Sequence, residues 1–130
     1  MLKRRTQKIL IADDDEELRN LLKDMITLTY SSNVIIYEAK DGIEATWKIQ
    51  NDDFSLLTTD SKMPKKSGID VVESILMRKG KFPENIIILS GEVNELDVQR
   101  VPPSKKVKYL VKPFQMNSLM KLINACISIE

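Results

Sequence analysis

Five short stretches of apolar and β-branched residues recur along the chain, at 9–12, 34–37, 56–59, 86–89 and 107–111. Most run on without polar alternation, the pattern of strands buried on both faces, as in parallel sheets. Between them the spacing switches to the helical period. Leu18, Leu21, Leu22, Met25 and Ile26 fall at i, i+3, i+4, i+7 and i+8, one face of a helix. Asp15 is placed to cap that helix, with Glu16 and Glu17 complementing the dipole of its first turn. Asp41-Gly42-Ile43-Glu44 opens a second helix with capping-box spacing; Ala45 and Ile49 line its inner face and Trp47 its partly exposed flank. A third helix over 69–78 turns Val72, Ile75 and Leu76 inward, and Gly80 offers a C-cap. The segment 94–100 makes a poor helix, cut off by Pro102-Pro103. Leu119, Leu122, Ile123, Cys126 and Ile127 share one face of the last. Strands alternating with helical segments predict an α/β fold: a doubly wound, five-stranded parallel sheet flanked by five helices through right-handed crossovers, the fourth helix short or distorted. Residues 9–130 form one domain, and 1–8 a basic arm in which Lys3, Arg4, Arg5 and Lys8 read as a solvated tail.

Composition narrows the chemistry. The chain has 130 residues, with 20 Lys and Arg against 19 Asp and Glu, so it lacks the broad basic surface of a nucleic-acid binder. There is no histidine and a single cysteine, Cys126. Ser-His-Asp and Cys-His catalysis, an internal disulfide and cysteine-based zinc sites are thereby excluded; Cys126 reads as core packing. No apolar stretch approaches the ~20 residues that span a bilayer, and no signal-peptide core is present. The expectation is a cytoplasmic protein without membrane insertion.

What composition leaves open, the strand ends supply. The first run stops at Asp13-Asp14, the third at Asp60, the fourth at Ser90 and the fifth at Lys112. After Asp60 comes a Met63-Pro64 turn and a basic loop closed by Gly68, so the strand cannot continue. In a doubly wound sheet the carboxyl ends share one edge, and the first, third and fourth strands surround the topological switch point. Three clustered carboxylates require a cation or raised pKa values. Without His or a nearby Cys, oxygen ligands favour Mg2+ or Mn2+, which lean on a few carboxylates plus a phosphate. Lys112 and Ser90 can meet phosphoryl oxygens, and Gly91 leaves room for such a group. With no base to activate Ser90, the nucleophile is a carboxylate.

Five motifs carry a family resemblance: Ile-Leu-Ile-Ala-Asp-Asp-Asp (9–15), Glu-Ala-Lys-Asp-Gly-Ile-Glu-Ala (38–45), Thr-Asp-Ser-Lys-Met-Pro (59–64) with Gly68, Ile-Leu-Ser-Gly (88–91) and Tyr-Leu-Val-Lys-Pro-Phe (109–114). Together, and in this order, the chain resembles a two-component response-regulator receiver domain of the single-domain, chemotaxis-regulator kind. The resemblance implies a flavodoxin-like fold with strand order 2-1-3-4-5 and a phosphorelay signalling role. Asp60 would accept a phosphoryl group from a phosphohistidine on a histidine kinase or phosphotransfer protein. Asp14, Asp60 and the Lys62 backbone carbonyl would hold Mg2+, with Asp13 acting largely through water. Ser90 and Lys112 would contact the phosphoryl oxygens, and Ser90 and Tyr109 would switch the surface that meets a downstream protein target. Such a protein catalyses only its own aspartyl phosphorylation and dephosphorylation.

Two departures from the family pattern stand out. Pro102-Pro103, followed by Ser104-Lys105-Lys106, replaces a small-residue helix end. Lys62 and Glu92, each two residues beyond Asp60 and Ser90, occupy positions that tune acyl-phosphate lifetime, and an ion pair between them is expected to slow water attack. Two other functions compete. One is a non-switching docking module of the same fold, which the intact acids, Ser90 and Lys112 oppose. The other is a haloacid-dehalogenase-type phosphatase, which requires an Asp where Lys62 stands. A P-loop nucleotide enzyme is disfavoured by the absence of Gly-x-x-x-x-Gly-Lys. No helix-turn-helix segment or effector domain is expected, so no direct nucleic-acid contact is either.

Overall fold

The computed structural model describes residues 6–91 and 99–127. Five strands, β1 (Gln7–Ala12), β2 (Val34–Ala39), β3 (Leu56–Asp60), β4 (Asn85–Ser90) and β5 (Val107–Val111), form one sheet in the order β2-β1-β3-β4-β5, every pairing parallel. Among the described residues four complete α-helices cover it: α1 (Glu16–Tyr30), α2 (Gly42–Asn51), α3 (Gly68–Met77) and α4 (Met116–Cys126). A short 3-10 turn (Ser31–Asn33) leads from α1 into β2. The predicted doubly wound sheet and its strand order are what the structure contains.

Strand periodicity divides the core in two. Leu10, Ala12, Leu57, Ile86 and Ile88 point to one face and pack with Ala45, Ile49, Phe54, Val72 and Ile75 beneath α2 and α3. Ile9, Ile11, Leu56, Ile87 and Leu89 point to the other and pack with Leu22, Ile26, Leu119 and Ile123 of α1 and α4. The three inner strands are sealed on both faces, which is why they read as continuous apolar runs. Truncating one of these residues, such as Ile88→Ala, costs about 2–5 kcal/mol of stability.

Two N-caps follow the sequence, Asp15 accepting from the Glu17 and Leu18 amides and Asp41 from Glu44, and Ser67 caps α3 by accepting from the Asp70 amide. Other boundaries differ from the pattern. β1 starts at Gln7, so Lys8 is the second residue of a strand rather than part of a solvated arm; its ammonium bonds Asp52 at 2.7 Å. A polar residue is tolerated there because that end of the strand lets its charge find a partner. α3 ends at Met77 with Arg78 as its C-cap, and Lys79, not Gly80, takes the left-handed turn, with φ 55°. Leu21, expected on the buried stripe of α1, is 47% exposed at its margin. The predicted fourth helical segment falls largely outside the described residues; residues 99 and 100 are helical. Among the described residues no helix is long and apolar enough to cross a membrane.

Candidate functional site at the carboxyl edge of the sheet

Register explains how distant residues meet. Ala12 pairs with Thr59, so Asp13 and Asp60 emerge side by side between β1 and β3. Asp60 pairs with Leu89, placing Ser90 one step beyond on β4. Ser90 pairs with Val111, and Lys112 follows. The direction in which successive strands are added to the sheet reverses between β1 and β3, the crevice in which open α/β sheets bind ligands.

Asp13 is 1% exposed. Its Oδ1 accepts the Asp15 amide at 2.9 Å, and its Oδ2 is buried with no hydrogen-bond partner. Burial is the main reason its pKa is pushed up to about 6; the negative charges of Asp60 and Asp14 add to the rise, while the Asp15 N–H and Lys112 oppose it. Asp14 is exposed. One carboxylate oxygen from each of Asp13, Asp14 and Asp60 lies within 4.8 Å of the others. An unpartnered buried carboxylate oxygen facing two more acids is electrostatically costly alone and suits a divalent cation with oxygen ligands.

Asp60 is held from both sides. Lys112 Nζ donates to its Oδ2 at 3.2 Å, and the Lys62 amide donates to Oδ1 at 3.3 Å. The loop after it is fastened by Ser61, whose N–H donates to the Leu89 carbonyl at 2.9 Å and whose carbonyl accepts from Gly68 N at 3.0 Å. A Cβ at position 68 would lie 1.8 Å from the Asp60 carbonyl oxygen. Only glycine permits that approach, so the loop-closing residue of the sequence pattern is a direct determinant of where Asp60 sits.

Ser90 is buried, and its Oγ accepts from Ser61 Oγ at 3.3 Å. Tyr109 lies half-buried on β5 against the α2 and α3 core, and burial raises its hydroxyl pKa. The Lys62 side chain is exposed; Glu92, its proposed partner, lies outside the described residues. Asp13, Asp14, Asp60, Ser90 and Lys112 are thus brought to one edge. Two contributors went unnoticed in the sequence. Ser61 looks like an ordinary turn residue and matters only because β4 places Ser90 beside it. Arg19 donates to the Asp13 carbonyl at 2.6 Å and to Glu38 at 3.3 Å, tying the end of β1 to β2. Its position one turn into an acidic helix start was the available signal.

Residues 9–124 match the response regulator receiver domain family. A chemotaxis protein CheY homolog of Campylobacter jejuni is 31% identical over 109 residues, 82% of each chain. The transcriptional regulatory protein CpxR of Escherichia coli is 37% identical over 118 residues, 91% of this chain and 48% of that one. Among solved structures, the response regulator protein TrrA of Thermotoga maritima, in complex with Mg2+-BeF, is 25% identical with a TM-score of 0.75, covering 94% of this chain and 100% of that one.

Proposed function

Because the chain belongs to the response regulator receiver domain family, we propose that it is a phosphoacceptor switch of a two-component or phosphorelay system, with Asp60 as the acceptor. In this reading an Asp60 carboxylate oxygen attacks the phosphorus of a phosphohistidine on a kinase or phosphotransfer partner. The P–N bond breaks, its electron pair leaves with the imidazole, and an acyl phosphate forms.

Each residue has a task that its position supports. Lys112, already 3.2 Å from Oδ2, exchanges that contact for a phosphoryl oxygen and offsets its charge. The Lys62 amide at Oδ1 keeps the carboxylate aimed. Ser90 donates its hydroxyl proton to another phosphoryl oxygen, and Tyr109, one pleat earlier on the adjoining strand, reports the change to the surface that meets a protein target. Asp13, Asp14, Asp60 and the Lys62 carbonyl would hold Mg2+, or Mn2+, which when bound neutralises phosphoryl charge as a Lewis acid. A loose phosphoryl-transfer transition state demands positioning and charge rather than a protein base, in keeping with the lack of histidine.

The observation that carries this reading is the meeting of Asp60 with Lys112 and two further acids at the switch point. The test is transfer of labelled phosphate from a panel of autophosphorylated histidine kinases to the wild type and to Asp60→Asn. Label on the wild type and none on the variant is expected. Equal labelling of both, or of neither by any kinase or by acetyl phosphate, would overturn it.

A further inference from the structure

A pocket lies away from the carboxyl cluster, between α2 and α3. Its volume is about 110 Å³, and its walls include Thr46, Lys66, Ser74 and Arg78 above Ile49 and Ile75. Lys66 Nζ donates to Thr46 Oγ1 at 3.2 Å and to Ser74 Oγ at 3.4 Å. Both hydroxyls spend their own protons on backbone carbonyls, Thr46 on Gly42 at 2.8 Å and Ser74 on Asp70 at 2.9 Å. They therefore face the ammonium purely as acceptors, and one of its three N–H bonds is left over. No Asp or Glu among the described residues lines the pocket. The Asp70 carboxylate, on the same helix, is taken by Arg100 instead, and neither Lys66 nor Arg78 has an ion-pair partner among the described residues.

Two cations lining one concavity with no carboxylate repel each other weakly, and an anion between them turns that repulsion into attraction. With a donor of Lys66 left over and Arg78 in the same wall, the pocket offers the kind of groups that take a small dianion, and a guanidinium suits phosphate in particular. We propose that the α2–α3 pocket binds a small dianionic phosphoryl group, inorganic phosphate or a compact phosphomonoester. The volume admits a phosphate and a short aliphatic stem against Ile49 and Ile75.

The site leans on the loop that follows Asp60. Gly42, at the start of α2, packs so closely on the Lys66 carbonyl that a Cβ there would lie 2.0 Å from its oxygen. An anion gripping Lys66 therefore bears on the segment that carries Lys62 and the Asp60 turn.

The test is amide NMR of the full chain, without divalent cation, titrated with inorganic phosphate and separately with glycerol phosphate, against sodium chloride of matched ionic strength. Saturable shifts at Thr46, Lys66, Ser74 and Arg78 are expected. Arg78→Gln, an exposed change that leaves the core untouched, should weaken the affinity at least about fivefold, and Lys66→Met should do the same or more. Response to phosphate alone marks the free anion as the ligand; response to both marks the ester class. Shifts no larger than those caused by chloride, or equal affinity in Arg78→Gln, would overturn the proposal.

Discussion

Charge is handled in opposite ways at the two ends of the sheet. At the amino end, Lys8 and Asp52 meet one to one at 2.7 Å, and each stabilises the other's charged form: the lysine pKa rises and the aspartate pKa falls. At the carboxyl end three carboxylates share one ammonium, and Asp13 carries a raised pKa and an unsatisfied buried oxygen. A pair that only closes a structure is neutral and self-sufficient. A site proposed to take a cation and a phosphoryl group keeps an excess of one sign, at a cost in stability. The basic pocket between α2 and α3 carries the inverse imbalance, two cations without an acid, and is read by the same logic.

The comparison breaks most visibly at Lys112, the sole ammonium on Asp60 among the described residues. Lys112→Ala should slow phosphoryl uptake from acetyl phosphate by about a hundredfold or more, measured by the rate of acyl-phosphate formation, while the fold persists. A rate within a factor of three of wild type would remove lysine from the proposed mechanism.

The next effect is on stability. A carboxyl group whose pKa is raised in the folded state stabilises the fold fully below its unfolded pKa of about 3.9, and that contribution is lost as pH rises through the folded value. For Asp13, near 6 when folded, the loss amounts to at most about 3 kcal/mol by pH 7.5. Asp13→Asn should therefore unfold at higher urea than wild type at pH 7.5 in EDTA, with the advantage shrinking toward pH 4. An advantage independent of pH would show that burial of the charge is not its source.

Divalent cation sharpens the same contrast. Mg2+ at about a hundred times its dissociation constant should stabilise the wild type by about 2.7 kcal/mol, read as a rise in Tm on leaving EDTA. The increment should shrink markedly in Asp13→Asn and in Asp60→Asn. Equal increments in all three would place the cation elsewhere.

The smallest change belongs to the amino end. Lys8→Met should leave Tm within about 2 °C of wild type, and the difference should vanish in 1 M salt, as befits a solvent-screened pair. A large drop there would make the pair a keystone of β1 and erase the distinction between the two ends.

How much of this was legible beforehand follows from the range of each interaction. Apolar runs at 9–12 and 86–89 announced buried strands, and Asp15 and Asp41 announced helix starts, because these signals act over a few residues. The five residues at strand ends could be nominated from their places after apolar runs. Lys8 was misjudged because its partner is 44 residues away, and Gly80 because Lys79 took the strained turn one position earlier. Ser61 and Arg19 stayed hidden because their value lies in neighbours on other strands.

Sequence alone determined the alternation of elements, their caps, the absence of histidine chemistry and the identity of the acids, since periodicity and residue chemistry need no knowledge of distant partners. Tertiary structure decided that Ala12 stands beside Thr59 and Asp60 beside Leu89, that position 68 has no room for a side chain, and that Asp13 has an oxygen with nothing to bond. Those facts arise from strand register and close packing between segments tens of residues apart, where contacts are set by the folded backbone and by no local pattern.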